Sequence, residues 1–97
     1  MYAIRKIWHL RHIAIVNNSR NSKYLKAFGE NFRKIRKEKG MTMMQLAYEA
    51  VVEYSQIAKI ERGLLNTTIS TVQILAQALD VKSAELFQFN FPPKANK

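Results

Sequence analysis

From Tyr24 onward, apolar residues recur three and four positions apart, the period of a helix that buries one face. Leu25, Phe28, Phe32 and Ile35 form one such face, with Arg33, Lys34 and Lys37 on another. They predict a first helix over about Leu25–Lys39, closed by Gly40. Thr42 with Gln45 three residues on is a capping-box pattern, in which side chain and backbone satisfy each other at a helix start. A second helix therefore runs over about Met43–Ala50, with Leu46, Ala47 and Ala50 inward. A third, about Tyr54–Arg62 and ended by Gly63, turns Val52, Ile57 and Ile60 inward. Its other face carries Tyr54, Ser55, Gln56, Lys59 and Arg62, hydrogen-bond donors and positive charge. After a loop at Leu64–Thr68, Ile69, Val72, Leu75, Ala76 and Leu79 predict a fourth helix over about Ile69–Leu79. Asp80, which tolerates the left-handed conformation better than most residues, ends it. A final turn at Ser83–Phe87 brings Leu86 and Phe87 to the core, and Pro92 and Pro93 stop regular structure. No strand is needed between Tyr24 and Phe87. The expected fold class is all-α, a compact five-helix bundle.

Upstream of Tyr24 the pattern is lost. Met1–Val16 is basic, free of acid and rich in Ile, and keeps neither the helical nor the strand period for long. Asn17–Ser22 is polar and rich in turn-formers, so it reads as a linker. The expected division is 1–22 as a basic N-terminal arm or extension with its linker, 23–88 as the helical domain and 89–97 as a C-terminal tail. The extension suits a basic arm along a nucleic-acid backbone first and an extra pairing element second. It suits a membrane-surface role last, because an amphipathic period is missing. Trp8 and the run Ile13-Ala14-Ile15-Val16 sit poorly in water and favour docking on something.

Charge sharpens the picture. Residues 1–40 hold eleven Lys/Arg against Glu30 and Glu38, which accounts for the whole net charge of +9, whereas residues 41–97 hold five of each sign. So lopsided a balance points to nucleic acid or an anionic surface, and otherwise to a solvated basic face without a role. At 97 residues the chain fits one domain with a single modest core. With no cysteine it has neither a disulfide frame nor a thiolate metal site, and His9 and His12 are too few for zinc. No stretch approaches a membrane span, and His9, Arg11 and His12 interrupt the N-terminal apolar run as a secretory signal would not be, so a cytoplasmic location is expected. Gly29, Gly40 and Gly63 fit helix ends rather than a nucleotide-cradling loop. No catalytic constellation is visible, so no enzyme activity, cofactor or small-molecule substrate is expected.

A helix of about eight residues, a short turn and a second short helix form the helix-turn-helix plan. FRKIRKEKGMT at Phe32–Thr42, QLAYEA at Gln45–Ala50, IAKIERG at Ile57–Gly63, TVQILAQALDV at Thr71–Val81 and ELF at Glu85–Phe87 follow it in order. In that order the segments resemble the phage repressor/Cro-type, or XRE-type, helix-turn-helix domain over about Phe28–Phe87. The resemblance implies a lambda-repressor-like DNA-binding domain whose third helix lies in the major groove. It puts Tyr54, Ser55 and Lys59 at base edges, with Gln56 at the margin. Phosphates would be held around Thr42, by Arg62, and by the loop near Asn66 and Thr67. It further implies a structural ion pair between Arg36 and Glu61, which a guanidinium and a carboxylate can bury together.

The implied role is a sequence-specific double-stranded-DNA-binding transcriptional regulator, a repressor acting as a homodimer. Pairing is expected through Leu86, Phe87, Phe89 and Phe91, with folding of these residues onto their own core as the alternative. Three positions depart from the family pattern: Val51 where a left-handed glycine is usual, Glu53 at the cap of the third helix, and Met43 in place of a polar residue. They favour the second reading, a protein-interaction module on the same scaffold, such as an antitoxin-like partner with weak or non-specific DNA binding.

Overall fold

A computed structural model describes residues 21–92 of the chain. The expectations for the arm, most of its linker and the end of the tail lie outside the described residues. Within the described residues, helix α1 covers 21–38, so Asn21 and Ser22 are helical rather than part of a linker. Then follow α2 (Met43–Ala50), α3 (Tyr54–Glu61), α4 (Ile69–Ala78) and a 3-10 helix at Ser83–Phe87. Among the described residues there is no strand. The fold is all-α, but the fifth helix expected from the sequence is corrected to this single 3-10 turn. Five residues close few α-type rings, and the tighter i→i+3 bonding suits so short a piece. The turn is pinned from both sides. The Lys82 amide donates to Glu85 Oε2 at 3.1 Å, and Asn31 Nδ2 of α1 donates to the carbonyls of Glu85 (3.1 Å) and Leu86 (2.9 Å).

The four α-helices among the described residues end alike. Each terminal turn is closed by two amides reaching back, the pattern that satisfies carbonyls left over at a helix end. The pairs are Gly40 to Lys37 and Met41 to Arg36, Val51 to Tyr48 and Val52 to Ala47, Gly63 to Ile60 and Leu64 to Lys59, and Asp80 to Gln77 and Val81 to Ala76. The residue at each crossing has positive φ: 72° at Gly40, 54° at Val51, 74° at Gly63 and 58° at Asp80. Helix starts are less uniform. Thr42 and Gln45 form the complete capping box, with the Thr42 amide donating to Gln45 Oε1 at 2.8 Å and the Gln45 amide to Thr42 Oγ1 at 3.0 Å. Thr68 Oγ1 accepts from the Thr71 amide at 3.1 Å to cap α4. Glu53, before α3, makes no side-chain capping bond.

The core is built from Phe28 and Phe32 of α1, Leu46, Ala47 and Ala50 of α2, Ile57 and Ile60 of α3, Val72, Leu75 and Ala76 of α4, and Leu79 and Leu86. Ile69, expected inward, is instead 87% exposed. It is the first residue of α4, and a helical side chain leans over the turn before it, which is missing there. Phe87 is 45% exposed, although its ring lies 5.0 Å from that of Phe28. Phe89 and Phe91 fold back on α1, with ring centroids 5.2 and 5.0 Å from Tyr24. Gly29 is not at a helix end but inside α1, where α1 meets the last carbonyls of α3. A Cβ there would lie 2.3 Å from the Ile60 oxygen and 2.7 Å from that of Glu61.

Candidate nucleic-acid interface

Helix α3 is clamped from behind by one buried arginine. Arg36 Nε donates to Glu61 Oε2 at 2.5 Å and Nη2 to Glu61 Oε1 at 3.1 Å, a side-on pair with both residues buried. Nη1 donates to the Met41 carbonyl at 2.7 Å, so one guanidinium ties the end of α1, the α1–α2 turn and the end of α3. The hydrogen bond to Glu61 raises the Arg36 pKa above its already high ordinary value. Burial opposes the shift, while the Glu61 charge and Tyr54 add to it. Arg33 Nε, on the solvent flank, stands 4.0 Å from Glu61 Oε1. Its signal in the sequence is its spacing of three from Arg36, which puts both on one face of α1.

With Ile57, Ile60 and Glu61 buried, the outer face of α3 is left to polar residues. Ser55, Lys59 and Arg62 follow one another at spacings of four and three, and all are exposed. Tyr54 stands beside them, 45% exposed, and Gln56 is half-buried at the margin. The structure thus brings Tyr54, Ser55, Lys59 and Arg62 together on one surface. Thr42 is exposed at the start of α2, its hydroxyl already accepting the Gln45 amide, and Asn66 is exposed in the α3–α4 loop. Thr67 is different. Its Oγ1 is buried and has no hydrogen-bond partner among the described residues, so the hydroxyl is not on the surface where phosphate contact was expected.

The entrance to α3 keeps the two unusual residues in place. Val51 adopts φ 54° and ψ 50° in the turn and is 90% exposed. The exposed Glu53 side chain leaves capping to the backbone, its carbonyl accepting from Gln56 (3.0 Å) and Ile57 (3.3 Å). Met43 is partly buried against the core, which accounts for an apolar residue at that position. Leu86 has no exposed surface within one chain, so it is corrected as a pairing residue. Phe87 keeps its exposed half, and Phe89 and Phe91 are half-buried. Among the described residues no three His, Cys, Asp or Glu form a group able to hold a metal, and no helix is long and apolar enough to cross a membrane.

The same region of the chain is similar to known proteins. The helix-turn-helix family matches residues 32–86. An uncharacterized HTH-type transcriptional regulator of Sinorhizobium fredii, y4dJ, is 38% identical over 61 residues, covering 63% of this chain and 79% of that protein. The immunity repressor protein of Bacillus phage phi105 is 39% identical over 54 residues, 56% of this chain and 38% of the repressor, so the likeness is to a part of it. Among solved structures, that of SinR, a master regulator for biofilm formation, in complex with DNA has a TM-score of 0.60 at 34% identity. The match covers 63% of this chain and 98% of that one. With two short helices joined at Val51, an α3 held by Arg36 and Glu61, and a family match through both, the chain belongs to the XRE-type helix-turn-helix family.

Proposed function

We propose that this protein is a sequence-specific double-stranded-DNA-binding transcriptional regulator, a repressor acting as a homodimer with α3 in the major groove. The observation that carries the proposal is the contrast across α3: Glu61 locked to Arg36 on one side, and Tyr54, Ser55, Lys59 and Arg62 exposed on the other. Lysine donates to guanine O6 and N7, serine adapts to several edges, and tyrosine hydrogen-bonds or packs on a thymine methyl. The amides at the start of α2 near Thr42, with Arg62 and Asn66, suit phosphates. Thr67 enters this reading through its backbone alone. The DNA-bound SinR relative and the phage repressor support DNA binding and the repressor role respectively.

Pairing follows from reach. One α3 spans a few base pairs, and two half-sites a helical turn apart multiply affinity. The face proposed to pair is that of Phe87, with the half-buried Phe89 and Phe91 beside it.

The protein-interaction reading is favoured by a different observation. Met44, Tyr48 and Val51 form an exposed apolar row along α2, beside the exposed carboxylates of Glu49 and Glu53. Salt-titrated binding to selected and to random duplexes separates the two. The regulator is expected to prefer its selected site by about 10³-fold or more at moderate salt, with two half-sites in the selected sequence. Binding that follows salt but ignores sequence would establish the interaction module instead.

A further inference from the structure

We propose that the apolar groove between α1 and the start of α4 is the docking site for this chain's own segment Ile4–Val16. A cavity of about 240 Å³ opens there, walled by Leu25, Phe28, Leu65, Ile69 and Val72. Two observations point to an occupant. Ile69, a large apolar side chain, leaves 87% of its surface in water at the rim. Asn21 lines the same groove, so the upstream chain reaches the described domain at this spot.

The segment has matching chemistry. Ile4, Ile7, Trp8, Leu10, Ile13 and Ile15 supply apolar side chains, and no acid lies among residues 1–20. Arg5, Lys6 and Arg11 lie between the apolar positions and can stay in solvent while those residues dock. Reach is ample. Asn21 lies thirteen positions after Trp8, which is about 43 Å when extended. Following a DNA backbone would use the charges and leave the apolar residues in water.

Trp8 is the only tryptophan in the chain, so its fluorescence reports the segment directly. In the full chain at low concentration without DNA, Trp8 emission is expected to be blue-shifted from that of the urea-unfolded chain and poorly quenched by acrylamide. Ile69→Asp should shift the emission red and raise quenching several-fold. The helical circular-dichroism melt should persist, because Ile69 is outside the core. Phe87 also lines the groove and is left intact, since it belongs to the proposed pairing face. Because the chain has no cysteine, Trp8→Cys combined with Ile69→Cys gives an independent check, an intrachain disulfide under mild oxidation. The proposal is overturned by native Trp8 emission equal to the unfolded value, or by a blue shift that Ile69→Asp leaves in place. Shielding that appears only with a DNA duplex would make the segment an arm, and shielding lost on dilution would make the occupant a second copy. Either also overturns it. No DNA enters the primary measurement, so the outcome is independent of the proposed regulatory function.

Discussion

At Val51 the backbone takes φ 54° and ψ 50°, a conformation that costs a β-branched L-residue on the order of 1–2 kcal/mol. The hydrogen bonds around it explain why the strain persists. The Val51 and Val52 amides reach the Tyr48 and Ala47 carbonyls, and a relaxed φ would break that closure and move α3. Replacing Val51 by glycine removes the steric cost but adds about 0.5–1 kcal/mol of unfolded-chain entropy. The side chain is 90% exposed, so little packing is lost. The net expectation for Val51→Gly is a gain of roughly 0.5–1 kcal/mol, read as a rise of several degrees in a thermal melt. A lower melting temperature would mean that the valine makes a contact which outweighs the strain. Asp80, at φ 58°, calls for less correction, because its short polar side chain suits this region.

Between elements, the Arg36 guanidinium is the main polar connection, joining α1, the α1–α2 turn and α3. Arg36→Ala leaves the buried Glu61 with only the exposed Arg33 at 4.0 Å, for an expected loss of about 3–5 kcal/mol out of a total stability of about 5–15. The double change Arg36→Met with Glu61→Leu should cost much less than the two single changes together, measured as a urea double-mutant cycle. Single losses below about 1 kcal/mol that simply add would reduce the pair to a surface bridge. The sign of the pH effect is clear from the raised Arg36 pKa. Stability from this cation is fully present below the ordinary arginine range and is lost only as pH rises through the still higher folded value, so it does not vary near neutrality.

The local devices at this scale were legible in the sequence. The Thr42–Gln45 box, the stop at Gly40 and the left-handed end at Asp80 each depend on residues within a few positions of one another. What needed the folded chain was non-local. The i, i+3 period assigned Ile69 to the core without knowing that no preceding turn lies beneath it. Asn31 gave no signal, because its acceptors are 54 and 55 residues away. For the proposed reading face, spacing alone grouped Tyr54, Ser55, Gln56, Lys59 and Arg62, but burial of the Thr67 hydroxyl depends on the packing of a loop.

For the whole molecule, charge and contacts divide the work of binding. Residues 41–97 are neutral overall, so Lys59 and Arg62 are local cations on the proposed reading surface, while the excess positive charge lies in residues 1–40. Two substitutions then separate base reading from phosphate holding. Lys59→Ala should relax preference at one base position by about 1–3 kcal/mol in a selection from random duplexes. Arg62→Ala should weaken binding nearly equally for all sequences and reduce the salt slope by about one. An unchanged selected motif in the Lys59 variant would remove that residue from the base-reading set. Gly29, finally, acts as a spacer gauge. Ordinary contact begins near 3.4 Å and an added methyl would start 2.3 Å from the Ile60 carbonyl, so even alanine must push the two helices apart by about an ångström. That push would come from behind α3 and would tilt Tyr54, Ser55 and Lys59 together without altering any of them. Two copies of this domain with identical outward residues would then be aimed differently, distinguished only by one atom on the hidden side.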